Sequence, residues 1–158
     1  ENKEFNISNK FKDYIERLAT AGADMITIHL ESEGNILEIL KDIKSKGIKS
    51  GLAININTPI EELYPYLEYT DLVMFMCIDT GFKATPFKPE VIKKIRAFNH
   101  YIKDKNYNIT LAADGSIGPR TISELYNEGV RIFVGGTSGL FRQGSFEENI
   151  KNLRSHCH

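Results

Sequence analysis

The sequence predicts an α/β protein of the (β/α)8 TIM-barrel type, and three observations predict it. Five short β-branched, apolar runs alternate with segments whose apolar residues recur at helical spacing. Each run is apolar almost throughout, the mark of a parallel strand covered on both faces. Glycine loops follow the last three runs, whereas a doubly wound open sheet usually places its one phosphate-binding glycine loop after the first strand.

The elements follow in order. Phe11, Tyr14, Ile15 and Leu18 mark a helix that Ala21-Gly22 stops, before the strand Met25-Ile26-Thr27-Ile28. Ile36, Leu37, Leu40 and Ile43 form a second helix ending at Gly47, followed by the strand Ser50 to Asn55. Thr58-Pro59 reads as an N-cap with proline at the first helical position, opening a short helix at Ile60 before a strand from Leu72 to Ile78. The loop Asp79 to Lys88 leads into a helix carrying Val91, Ile92, Ile95, Phe98 and Ile102, and the strand Ile109 to Ala113 follows. The loop Asp114 to Pro119 opens a helix with Ile122 and Leu125 that closes at Gly129, then Ile132-Phe133-Val134 is a strand. The turn Gly135 to Gly139 and a helix around Phe146, Ile150 and Leu153 end the pattern, and the tail His156-Cys157-His158 is expected to be disordered.

Composition narrows the partners. Among 158 residues, 20 basic and 21 acidic side chains give a net charge of −1, so neither nucleic acid nor an anionic membrane is an expected partner. A hydrophobic share of 41% against 26% charged is the balance of one core-burying domain. The longest apolar stretch falls far short of the ~20 residues that span a bilayer, and the expected location is the cytoplasm. Two cysteines, Cys77 and Cys157, cannot make a disulfide framework and fit a reducing compartment.

Candidate chemistry gathers at the ends of the strands. Asp114 ends one strand ahead of Gly115 and Ser116, so a carboxylate that can move a proton or bind a cation precedes backbone N–H groups able to face a phosphate. The plainer alternative is a turn, for which Asp-Gly is a common dipeptide. Gly136, Thr137 and Ser138 sit in a donor-rich turn suited to a phosphate cradle, with a flexible crossover loop as the alternative. Gly81 lies in the longest loop, where the backbone could approach a ligand, and Lys83 adds charge there or is a solvated surface group. His29 and Glu31 end the first strand, where the histidine either orients substrate or is a hydrogen-bonded support of the barrel mouth. Met76 alternates with Phe75, and core packing is its default.

The motifs Ala21 to Glu31, Gly51 to Asn55 with Thr58-Pro59, Gly81-Phe82 with Pro86-Phe87, Asp114-Gly115-Ser116 and Gly136 to Phe141, in that order, resemble the ribulose-phosphate 3-epimerases. The Asp-Gly-Ser and Gly-Thr-Ser-Gly-Leu-Phe versions are most similar to allulose-6-phosphate 3-epimerases. The resemblance implies a metal-dependent isomerase that inverts carbon 3 of a ketose phosphate through an enediolate, with allulose 6-phosphate as the expected substrate. Ribulose 5-phosphate is the alternative, and a catalytically degenerate sugar-phosphate-binding barrel is a further one. A decarboxylase or aldolase would call for a lysine at a strand end, and none is evident.

It also implies one divalent ion, zinc, manganese, iron or cobalt, and a homo-oligomer. Asp114 matches a catalytic aspartate and a metal ligand, while the second catalytic aspartate and the other ligands are expected upstream of residue 1. Phosphate contacts carry over to Gly81, Phe82, Lys83, Ala84, Gly115, Ser116, Gly136, Thr137 and Ser138, although the loop Thr80 to Thr85 departs from the family pattern Pro-Gly-Phe-x-Gly-Gln. Five βα units cannot close an eight-stranded barrel, which runs from about 200 residues upward. Residues 1–158 are therefore expected to be strands four to eight of a single barrel domain, with the first three βα units absent from the given sequence.

Overall fold

A computed structural model of the chain describes residues 7–79, 81 and 85–157. Five βα units succeed one another. Helix α1 (Ile7–Thr20) precedes β1 (Met25–His29), α2 (Ile36–Ser45) precedes β2 (Lys49–Ile54), and a 3₁₀ segment (Ile60–Tyr69) precedes β3 (Leu72–Met76). Then come α3 (Glu90–Asp104), β4 (Thr110–Asp114), α4 (Pro119–Asn127), β5 (Val130–Val134) and α5 (Phe146–Arg154). Local chemistry sets the ends. The Asn35 side chain accepts the Glu38 N–H at 3.3 Å to start α2, and Ser145 and Glu148 cap α5 reciprocally at 3.2 Å.

All strands are parallel, and each pairs with the next in sequence, in the order β1-β2-β3-β4-β5. That order decides the architecture. A doubly wound sheet reverses direction at a switch point, whereas crossovers of one hand that never reverse place every helix on one face, as in a barrel wall.

The register defines two faces. Ile28, Leu52, Val73 and Leu111 lie side by side, as do Ile54, Phe75, Ala113 and Phe133, and these rows pack against the helices. Phe75 meets Phe98 of α3 edge to face with ring centres 5.6 Å apart, both fully buried. The alternating residues form the opposite, inner face: a row His29, Ala53, Met74, Ala112, Ile132, and beyond it Met76, Asp114, Val134. Small residues fit the inner face because strands crowd there. A Cβ on Gly51 would lie 2.5 Å from Thr27 Oγ1. At the amino-terminal pole, the Asp71 carboxylate takes Lys44 Nζ at 2.8 and 2.9 Å and the Ser50 N–H at 2.9 Å, tying α2 to two strand starts.

Several expectations need correction. Thr58 does not cap a helix: its hydroxyl donates to Glu31 Oε1 at 2.6 Å, and the segment after Pro59 is a 3₁₀ run that tolerates Pro65 in its interior. Among the described residues, Ile132 and Val134 of β5 are 42% and 39% exposed on the inner face. Helix α5 buries no side chain fully, and Phe146 is 57% exposed. The tail is ordered through Cys157. Ser123 Oγ donates to the His156 carbonyl at 2.9 Å, and Cys157 packs on the core; His158 lies outside the described residues.

Candidate active site

The carboxyl ends of the strands gather the candidate residues at one pole. Asp114 closes β4 on the inner face beside Met76, which is 9% exposed, and Val134. The Cys77 N–H donates to the Asp114 carbonyl at 2.7 Å, fixing the strand end that carries the carboxylate. Burial, with the Asp114 charge nearby, pushes the Cys77 thiol up to about 12, so it stays protonated and is no nucleophile.

The loop after β4 turns sharply. Gly115 has φ +104 with Ile78 against it, and Ser116 follows at φ +52, a left-handed conformation that costs a serine about 1 kcal/mol or more. The Ser116 hydroxyl donates to the Thr85 carbonyl at 2.9 Å, joining this loop to the one after β3. Among the described residues, Thr85 Oγ1 is shut off from solvent without a partner. Gly118 then caps α4, its N–H donating to Thr121 Oγ1 at 3.1 Å.

The loop after β5 lies directly on this one. A Cβ on Gly118 would stand 2.9 Å from the Ser138 carbonyl oxygen, and one on Gly139 would stand 2.7 Å from that of Ile117. The Gly136 carbonyl accepts the N–H groups of Gly139, Leu140 and Phe141, which closes the turn that holds Thr137 and Ser138, both exposed. A groove of about 480 Å³ runs between the two loops, lined by Ser116, Ser138, Thr121, Arg120 and Arg142 together with Gly118 and Pro119.

Of the longest loop, Gly81 is exposed at φ +90, whereas Phe82, Lys83 and Ala84 lie outside the described residues. Its base is fixed by the Lys88 N–H donating to the Cys77 carbonyl at 2.9 Å and by the Lys88–Asp79 ion pair at 2.9 Å.

His29 stands apart from Asp114. It is three strands away, about 14 Å along the sheet, and its Nδ1 pairs with Glu31 Oε2 at 3.2 Å. Glu31 organises the mouth loop after β2, accepting the Asn55 N–H at 2.8 Å and the Thr58 hydroxyl at 2.6 Å. Burial would raise its pKa, but these donors and His29 hold the carboxyl below the usual range. From the other side, Lys94 of α3 donates to the carbonyls of Asn55, Ile56 and Thr58. Its partial burial pulls the ammonium down to about 8 against the pull of Glu31. Lys94, Arg120 and Arg142 are not distinguishable by sequence, since each reads as an ordinary polar-face residue; their roles come from convergence in space.

Among the described residues, no three His, Cys, Asp or Glu side chains group to hold a metal ion. The described residues do not by themselves form a cation site.

The fold and its loop pole define part of a (β/α)8 barrel whose loops meet at the carboxyl ends of the strands. The model of the ribulose-phosphate 3 epimerase family matches residues 7–141, and the chain belongs to that family. The chain is 36% identical over 146 residues to the cytoplasmic isoform of ribulose-phosphate 3-epimerase from Oryza sativa subsp. japonica, covering 90% of the chain and 62% of the relative. It is 32% identical over 137 residues to the enzyme of the same name from Escherichia coli K12, covering 87% of the chain and 60% of the relative. The chain thus spans about three fifths of the length of these relatives. Among solved structures, a 3-hexulose-6-phosphate synthase superposes with TM-score 0.66 at 12% identity, over 93% of this chain and 68% of that one. The Salmonella typhimurium synthase gives 0.61 at 13%, over 93% and 69%. At such identities the likeness shows the fold. No helix among the described residues is long and apolar enough to cross a membrane.

Proposed function

We propose that this chain supplies the phosphate-binding end and one catalytic carboxylate of an epimerase that inverts carbon 3 of a ketose phosphate. The observation that carries the reading is Asp114: a carboxylate on the inner face at the end of β4, directly ahead of two loops locked together around a cationic groove. Removing the proton beside a ketone needs a base, and returning it to the other face needs an acid. In this reading Asp114 takes or delivers the proton on one face. The second carboxylate belongs to an earlier strand of the barrel, with this chain as strands four to eight.

The substrate phosphate lies where Gly115, Ser116, Gly136, Thr137 and Ser138 present backbone N–H and hydroxyl donors, and Gly81, Phe82, Lys83 and Ala84 extend the site. Met76 walls the inner face beside Asp114, and His29 supports the mouth through Glu31. A divalent cation, which this reading includes, would stabilise the enediolate oxygens, with Asp114 as the one ligand from the described residues. Allulose 6-phosphate is the preferred substrate because of the Asp114-Gly115-Ser116 and Gly136 to Phe141 sequences, and ribulose 5-phosphate fits the named relatives.

The test is turnover of both ketose phosphates by the full-length protein supplied with zinc, manganese, iron or cobalt. Faster turnover of allulose 6-phosphate supports the finer reading, and faster turnover of ribulose 5-phosphate replaces it. No turnover of either overturns the enzyme. Asp114→Asn is expected to abolish turnover with an unchanged circular dichroism spectrum and urea midpoint, since it removes the base in a nearly isosteric change.

A further inference from the structure

The groove between the loops after β4 and β5 is lined by two arginines, Arg120 in the first turn of α4 and Arg142 beyond the β5 loop. They come from separate elements, yet no carboxylate lines the groove with them. Neither has an ion-pair or hydrogen-bond partner for its side chain among the described residues. Two other arginines are committed: Arg96 forks onto Glu128 at 3.0 and 3.1 Å, and Arg131 lies over the Tyr126 ring at 4.1 Å while donating to two carbonyls. In a chain of net charge −1, two unpaired cations facing one groove repel each other until an anion enters. Ser138 lines the same space and offers a hydroxyl, whereas the Ser116 and Thr121 hydroxyls there are engaged with the Thr85 carbonyl and the Gly118 backbone.

We propose that Arg120 and Arg142 are specificity-determining residues that clasp a phosphate dianion from the solvent side of the groove, adding side-chain forks to a subsite otherwise built from backbone donors. The inference rests on the phosphate placement of the preceding section. A guanidinium fork matches the geometry of a phosphate better than an ammonium does. The consequence is selection by charge: a phosphorylated sugar is retained and its dephosphorylated counterpart is not.

The experiment is calorimetric titration of the full chain with inorganic phosphate at low and high ionic strength. Variants Arg120→Gln, Arg142→Gln and the double variant are compared with Lys103→Gln, a charge change on exposed α3. Each arginine variant is expected to weaken binding about tenfold, and the double variant more. The dependence on salt should become shallower, while Arg→Lys restores part of the affinity. Lys103→Gln should bind as the parent does, and all variants should keep the parent's urea midpoint. If the double variant binds phosphate as tightly as the parent, the arginine role is overturned and the backbone cradle stands. Equal weakening by Lys103→Gln also overturns it, since net charge would then account for the effect. A parent chain that binds no phosphate overturns the placement itself, and the arginine role with it.

Discussion

The seam between the two glycine loops is the most direct handle on the site. Gly118 has an extended backbone at φ −163, so alanine there meets no conformational penalty, and its cost comes from contact alone. A Cβ would stand 2.9 Å from the Ser138 carbonyl oxygen in Gly118→Ala and 2.7 Å from the Ile117 carbonyl oxygen in Gly139→Ala. Carbon and carbonyl oxygen normally approach no closer than about 3.3 Å. The loops must therefore part by about 0.4 Å in the first variant and about 0.6 Å in the second. In Gly139→Ala the new methyl also meets Leu153 Cδ2 at 3.2 Å, which blocks escape on that side. Overpacking of this kind costs about 1–3 kcal/mol, so about 1 kcal/mol is expected for Gly118→Ala and about 2 for Gly139→Ala. The double variant should cost less than the sum by at least ~0.5 kcal/mol, because either alanine opens the same seam for the other. Urea denaturation followed by circular dichroism measures all three, and phosphate titration should show weaker binding in each. Strict additivity, or a cost below ~0.5 kcal/mol for Gly139→Ala, would refute the contact geometry.

Two further outcomes test charges outside the seam. Lys94→Met removes the donor shared by the carbonyls of Asn55, Ile56 and Thr58 and should destabilise the chain by about 2 kcal/mol at neutral pH, read from the urea midpoint. Since burial lowers Lys94 to about 8 in the fold from its ordinary 10.5, the unfolded chain binds more protons between those values. The stability of the parent relative to Lys94→Met should therefore rise from about pH 8 to 10.5. Asp71 behaves in the opposite sense: burial would raise its pKa, but Lys44 and the Ser50 N–H hold it below the ordinary 3.8. Its stabilisation is complete above that pH and is lost as the pH falls through the depressed value, so Asp71→Asn should flatten the acid limb of a stability profile.

Periodicity made the fold legible. The switch from helical to strand spacing at Gly22, Gly47 and Gly129 located three strands, and the same apolar runs set the parallel class. The positions of Asp114 and the glycine loops at strand ends were legible because they follow directly on apolar runs. The 3₁₀ segment was not, since Thr58-Pro59 looks like a helix start until Glu31, 27 residues earlier, claims the hydroxyl. The exposure of Phe146 and Ile132 was hidden because an apolar residue shows its periodicity and not whether anything covers it. Lys94, Arg120 and Arg142 were unreadable for a related reason: a cation's work depends on which distant carbonyls or hydroxyls meet it.

Among the described residues each strand pairs with its successor, so the five strands contribute to stability as neighbouring units. Stability is then the sum of unit and neighbour terms, as in repeat proteins, and each unit can form on the one before it without a long loop closure. Amide exchange should be slow in β3, which has two strand neighbours on either side among the described residues. Asp114, on β4, is flanked by β3 and β5, so its carboxylate is carried by backbone held on both sides.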